Sequence, residues 1–131
     1  MTGHPAELRI ELWATPADLV GLRESLAGWV ASTTLSQDRQ EDIVLAAYEA
    51  LANSAEHAYP GGDGGPVELV ARCEHGGVTV VVADRGTWKT PDADPGFRGR
   101  GRLLMRRLSD RMHTERGRRG TTVTITWLLA P

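Results

Sequence analysis

The sequence predicts an α+β fold: a two-layer α/β sandwich with a mixed, mostly antiparallel sheet and helices on one face. Three observations predict it. Strict apolar–polar alternation stands near both ends of the chain. Two stretches with helical apolar spacing follow the first alternating run, each opened by a helix-start signal. Two β-rich runs separated by a glycine turn occupy the middle. The 131 residues suit one domain with one core, so 1–131 is read as a single unit.

From Glu7 to Ala14, Leu8, Ile10 and Leu12 alternate with Glu7, Arg9 and Glu11, which predicts a half-buried strand. Thr15 then offers a helix N-cap, Pro16 suits the first helical position, and Asp18 favours the positive end of the helix dipole. Leu19, Leu22, Leu26, Trp29 and Val30 carry this helix to about Thr33 or Thr34. Ser36 opens a second helix with Asp38 in its first turn, running through Ile43, Val44, Ala47, Leu51 and Ala55 to about Tyr59. Pro60 and the run Gly61-Gly62-Asp63-Gly64-Gly65-Pro66 stop it. Val67–Cys73 and Val78–Ala83 form a hairpin about His75-Gly76-Gly77. Asp84 to Arg100 has no periodicity and reads as a long loop of the kind that serves as a lid. Leu103, Leu104, Arg107, Leu108 and Met112 mark a third helix, and Thr121–Leu129 a last strand with Val123, Ile125 and Trp127 on one face.

The formal net charge of −2 gives no steering argument for direct nucleic-acid binding. Arginines nevertheless crowd one late segment, including Arg98, Arg100, Arg102, Arg106, Arg107, Arg111, Arg116, Arg118 and Arg119. Most are read as a solvated helix face and turn. Cys73, the single cysteine, excludes an intramolecular disulfide and fits a reducing compartment. Neither a membrane span nor a signal segment is expected, so the chain is placed in the cytoplasm.

Chemistry concentrates in three places. Glu49, Asn53 and His57 recur every four residues, one polar stripe on an otherwise apolar helix. Buried, such groups need partners, and a Mg²⁺ ion with its waters would supply them. The Asn53 amide oxygen suits that ion, and Glu49 one turn away could take a proton from an incoming hydroxyl. Asp84-Arg85-Gly86-Thr87-Trp88 follows a strand directly. Its acid can accept a hydrogen bond from an exocyclic amine such as adenine's, and Gly86 gives a base room to approach the backbone. Gly96-Phe97-Arg98-Gly99-Arg100-Gly101 opens a helix, where backbone N–H groups attract anions.

Taken together, Glu-x-x-x-Asn on a helix, Asp-x-Gly after a hairpin strand, Gly-x-Gly before a helix and Gly120-Thr121-Thr122 opening the last strand resemble the GHKL (histidine-kinase-like) ATPase superfamily. Within it the likeness is to the serine/threonine-protein kinases that act as anti-sigma factors. It is carried by Glu49-Ala50-Leu51-Ala52-Asn53-Ser54-Ala55-Glu56-His57-Ala58-Tyr59, Asp84-Arg85-Gly86-Thr87-Trp88, Arg98-Gly99-Arg100-Gly101 and Gly120-Thr121-Thr122-Val123.

The resemblance implies the Bergerat ATP-binding fold, with ATP and Mg²⁺ as ligands. It implies Glu49 as catalytic base, Asn53 as Mg²⁺ ligand, Asp84 on the adenine amine with Gly86 beside it, Gly99 and Gly101 against the phosphates, and Thr121 lining the adenine pocket. It also implies a dimer that binds a sigma factor and phosphorylates a serine of a STAS-type anti-anti-sigma factor. One position departs from the pattern: Arg102 stands after the second glycine, where the family usually has a hydrophobic residue. The alternative function is an ATP-binding regulatory module that holds a protein partner without phosphorylating it.

Overall fold

The computed structural model describes residues 7–33, 35–59, 64–74, 77–86 and 104–128. They form the strand β1 (Glu7–Trp13), the helices α1 (Pro16–Ala31) and α2 (Gln37–His57), and the strands β2 (Pro66–Glu74), β3 (Gly77–Asp84), β4 (Arg111–Gly117) and β5 (Gly120–Leu128). Residues 104–108 are also helical. The five strands make one sheet in the order β1-β2-β3-β5-β4, and every described pairing is antiparallel. The mostly antiparallel sheet expected from the sequence is what the described strands form.

Both long helices begin where local chemistry dictates. The Thr15 hydroxyl accepts from the Asp18 N–H at 3.5 Å, and the Ser36 hydroxyl accepts from the Arg39 N–H at 3.2 Å. Each satisfies a donor that a helix start leaves without an intrahelical partner. At the far end of α1, the Ser32 and Thr33 hydroxyls donate to the carbonyls of Trp29 and Val30 at 2.6 Å. The 21 residues of α2 make a rod about 31 Å long. That length carries it from the Arg39–Asp110 ion pair near its start to the open end of the hairpin.

Alternation in the strands sets the layers. Leu69, Ala71, Val78, Val80, Val82, Val123, Ile125 and Trp127 point to one face, where they meet Leu26, Val30, Ile43, Ala47 and Leu51 of the helices. Each fully buried aliphatic side chain there contributes about 1.5–3 kcal/mol relative to exposure. The opposite face carries threonines of β5 and the charged residues of β1 and β2, among them the pairs Arg9–Glu68 and Arg72–Glu7. Exposed pairs of this kind are worth at most about 1 kcal/mol each.

The third helix departs from expectation. Helical structure ends at residue 108, and Met112 belongs to the edge strand β4, which the alternation pattern did not reveal. Ser109 and Asp110 make the break. The Asp110 N–H donates to the Thr126 carbonyl at 3.0 Å, and its carboxylate accepts from the Leu128 N–H at 2.6 Å and from Arg39 at 3.1 Å. These bonds draw the chain into the sheet directly after residue 108. Arg111 and Arg116 accordingly lie on a strand rather than on a helix face. Trp13 is half exposed on the edge strand β1, whereas Trp29 and Trp127 are buried.

Candidate functional site

Among the described residues the polar or charged side chains that are buried are Asn53, Ser54, Asp84 and Thr121. Three of the four are residues singled out from the sequence. An apolar domain interior would exclude such groups unless they were paired or held for a ligand.

Asp84 is the last residue of β3, and Thr121 stands near the start of the neighbouring β5. The register places them side by side. The Asp84 Oδ1 accepts from the buried Thr121 N–H at 3.1 Å and from the Gly86 N–H at 3.2 Å. Two backbone donors on one oxygen fix the rotation of the carboxylate. The adjoining Gly120 has φ +140°, a conformation that L side chains rarely adopt, and a Cβ there would overlap the Asp84 carbonyl oxygen. Gly120 thus lets the two backbones close up behind the acid.

The second helix comes down on this corner. A Cβ on Gly86 would overlap the Ala58 carbonyl oxygen and stand 2.5 Å from the Ala58 Cβ. Gly86 was expected to make room for a base. The structure supplies a further demand for glycine, since the C-terminal end of α2 rests directly on it. Five residues earlier, Asn53 is 7% exposed. It lines a small cavity of about 10 Å³ with Ala50, Met105, Met112, Thr114, Arg116 and Val123. Val123 lies two residues beyond Thr121 on the same face of β5, so the cavity beside Asn53 touches the strand that carries Thr121. Glu49, one turn earlier on α2, is half-buried.

Met105 brings the helical segment 104–108 to the same cavity, four residues after Gly101. Gly99 and Gly101 lie outside the described residues, as do Arg102 and Trp88, and so does the side chain of His57. Sequence reasoning missed Thr114 and the placing of Arg116 beside Asn53. Both follow from β4, whose alternation of Met112 and Thr114 with His113 and Glu115 was the available signal. Among the described residues no cluster of three or more His, Cys, Asp or Glu could hold a metal ion. A hard cation here would draw its remaining ligands from water and from phosphates, as Mg²⁺ commonly does.

Residues 12–127 match the family described as "Histidine kinase-like ATPase domain". The chain belongs to this family. As a histidine kinase-like ATPase domain it is kinase-like and ATP-binding in kind. It is 31% identical over 81 residues to "Serine-protein kinase RsbW" of Listeria monocytogenes serotype 4a (strain HCC23), an alignment covering 62% of this chain and 52% of that protein. The same figures hold for RsbW of the serotype 4b strain F2365. The chain therefore spans about half the length of the curated relatives it matches.

The domain superposes on the crystal structure of the RsbU and RsbW domains of Rv1364c from Mycobacterium tuberculosis with a TM-score of 0.76 and 28% identity, over 97% of this chain and 34% of that one. It shares its fold with the histidine kinase domain of the Erythrobacter litoralis EL346 blue-light activated histidine kinase, at a TM-score of 0.62 and 22% identity, over 85% of this chain and 59% of that one. The fold is that of the RsbW and histidine-kinase ATPase domains. No helix among the described residues is long and apolar enough to cross a membrane.

Proposed function

We propose that this domain binds ATP with Mg²⁺ and acts as an anti-sigma factor that phosphorylates a serine or threonine of a STAS-type anti-anti-sigma partner. The observation that carries this reading is the burial of Asn53, Asp84 and Thr121, polar groups in an apolar domain, with Asp84 and Thr121 joined by a hydrogen bond. The relatives named serine-protein kinase RsbW support the kinase assignment.

Each residue has a distinct task. Asp84, its rotation fixed by two backbone N–H groups, accepts a hydrogen bond from the adenine amine. Thr121 and Gly86 line the base. The Asn53 amide oxygen would hold Mg²⁺, and Gly99 and Gly101 are assigned to the phosphates. The ion supplies charge neutralisation on the phosphates. Glu49 takes the proton of the partner's hydroxyl as that oxygen bonds to the γ-phosphorus and the bridging bond to ADP breaks. The chain 1–131 acts as one domain, in the cytoplasm, and binds its sigma factor as a homodimer. Arg102, in place of a hydrophobic residue, favours a second reading in which the bound nucleotide regulates a partner without phosphoryl transfer.

Incubation with labelled ATP and a STAS-type partner tests the proposal. Transfer to the partner is expected, slowed by about 100-fold or more in Glu49→Ala while ATP affinity stays within about threefold. Transfer at the normal rate by Glu49→Ala removes Glu49 as base. ATP binding with no transfer by the wild type favours the regulatory module.

A further inference from the structure

Tyr59 lies just past the C-terminal end of α2, and its side chain is used from three directions. Its hydroxyl donates to the Pro66 carbonyl, at the start of β2, at 2.7 Å. The same oxygen accepts from the Arg85 N–H at 2.9 Å. Its ring lies on Gly65, where any Cβ would overlap ring carbons. The hydroxyl proton is thus committed to Pro66, and the oxygen's acceptor capacity faces the residue directly after Asp84.

The geometry points to Tyr59 as the positioning residue that sets the acid-bearing loop 84–86 against α2, and so governs selectivity for adenine. The proposal rests on the nucleotide reading above. Asn53 and Glu49 sit on α2, whereas Asp84 leaves the end of β3, so the two halves of the site belong to different layers. Packing of Gly86 under Ala58 limits how close the layers come, but a van der Waals contact constrains only one direction. The bond from the Arg85 N–H fixes the direction of the backbone as it leaves Asp84. It therefore fixes where the Gly86 N–H lies when it meets the carboxylate. Without it, the loop keeps its anchor at Thr121 and loses its tether to the helix.

Tyr59→Phe tests this, because it keeps the ring on Gly65 and removes only the hydroxyl. Calorimetry with Mg²⁺–ATP and Mg²⁺–GTP, together with thermal melting and amide exchange at Arg85 and Gly86, gives the readouts. The expected result is ATP affinity lower by about tenfold, on the order of one well-placed hydrogen bond. GTP affinity should change less than about twofold, so that the preference between the bases narrows. Exchange should accelerate at Arg85 and Gly86 with the melting temperature nearly unchanged. Three results overturn the positioning role: unchanged ATP affinity, equal losses for both nucleotides, or a Tyr59→Phe protein that no longer folds. If the wild type binds neither nucleotide, the nucleotide reading itself fails, and this proposal fails with it. That outcome is distinct from a wild type that binds ATP while Tyr59→Phe matches it.

Discussion

Two substitutions at Asp84 separate what the carboxylate does for the fold from what it does for a ligand. Asp84→Ala removes the acceptor of two backbone N–H groups. The Thr121 N–H is buried, and leaving such a donor without a partner costs about 1–3 kcal/mol. The half-buried Gly86 N–H can reach water and adds less than about 1 kcal/mol. Relief of the carboxylate's own burial offsets part of this. The net loss expected is about 2 kcal/mol, which for a domain of this size lowers the melting temperature by roughly 6–10 °C.

Asp84→Asn behaves differently. Its amide oxygen can keep both backbone bonds, so the melting temperature should fall by no more than about 3 °C. The other carboxylate oxygen becomes an NH₂ group, a donor facing the donor amine of adenine. Loss of a hydrogen bond to a charged acceptor, with repulsion added, predicts ATP affinity lower by about 30-fold or more. Differential scanning fluorimetry and calorimetry measure the two effects in one set of proteins. A stable Asp84→Asn protein that binds ATP as tightly as the wild type would refute the role given to this acid. An Asp84→Ala protein that melts higher than the wild type would show that its hydrogen bonds do not hold the corner together.

Asn53→Ala should lower ATP affinity at least tenfold in the presence of Mg²⁺ and much less in its absence; calorimetry showing equal losses in both conditions takes Asn53 out of the metal site. Gly120→Ala forces a side chain into a positive-φ position against the Asp84 carbonyl and should cost about 2–4 kcal/mol, read as a fall of roughly 10 °C in melting temperature. An unchanged melting temperature would mean that the β3–β5 end relaxes freely. Trp127→Phe removes the indole N–H that donates to the Leu108 carbonyl at 2.6 Å and leaves a void at a fully buried position. Urea denaturation should show a loss of about 2–3 kcal/mol, and a loss below about 0.5 kcal/mol would mean that the segment after residue 104 is not anchored by this contact.

The two long helices were legible because their signals are local. Thr15-Pro16 and Ser36 are caps within one turn of the residues they serve, and the apolar spacing that follows is helical over many residues. The central hairpin was legible from alternation about a glycine turn. β4 was not, for a physical reason. Its inward residues are Met112, Thr114 and the charged Arg116, and its outward ones are polar or charged, as suits an exposed edge. Met112 also falls four residues after Leu108, which continues the helical period across the helix end that Asp110 makes.

Of the candidate site, the helix stripe and the acid after β3 could be named from the sequence, since residue type and position along an element carry that information. What the sequence could not show is contact across the fold. Tyr59 meets Arg85 across 26 residues of chain. The Ala58 carbonyl explains Gly86, and β4 brings Thr114 and Arg116 to Asn53. The first two have no local signature, and the short alternation of Met112 and Thr114 is the one mark of the third.

The most direct test is amide chemical-shift mapping of the labelled protein as a non-hydrolysable ATP analogue is added with Mg²⁺. The account predicts saturable shifts concentrated at Asn53, Asp84 to Gly86 and Thr121, from both layers at one nucleotide concentration. Shifts confined to the outer face of the sheet or to α1, or none at millimolar nucleotide, would contradict it.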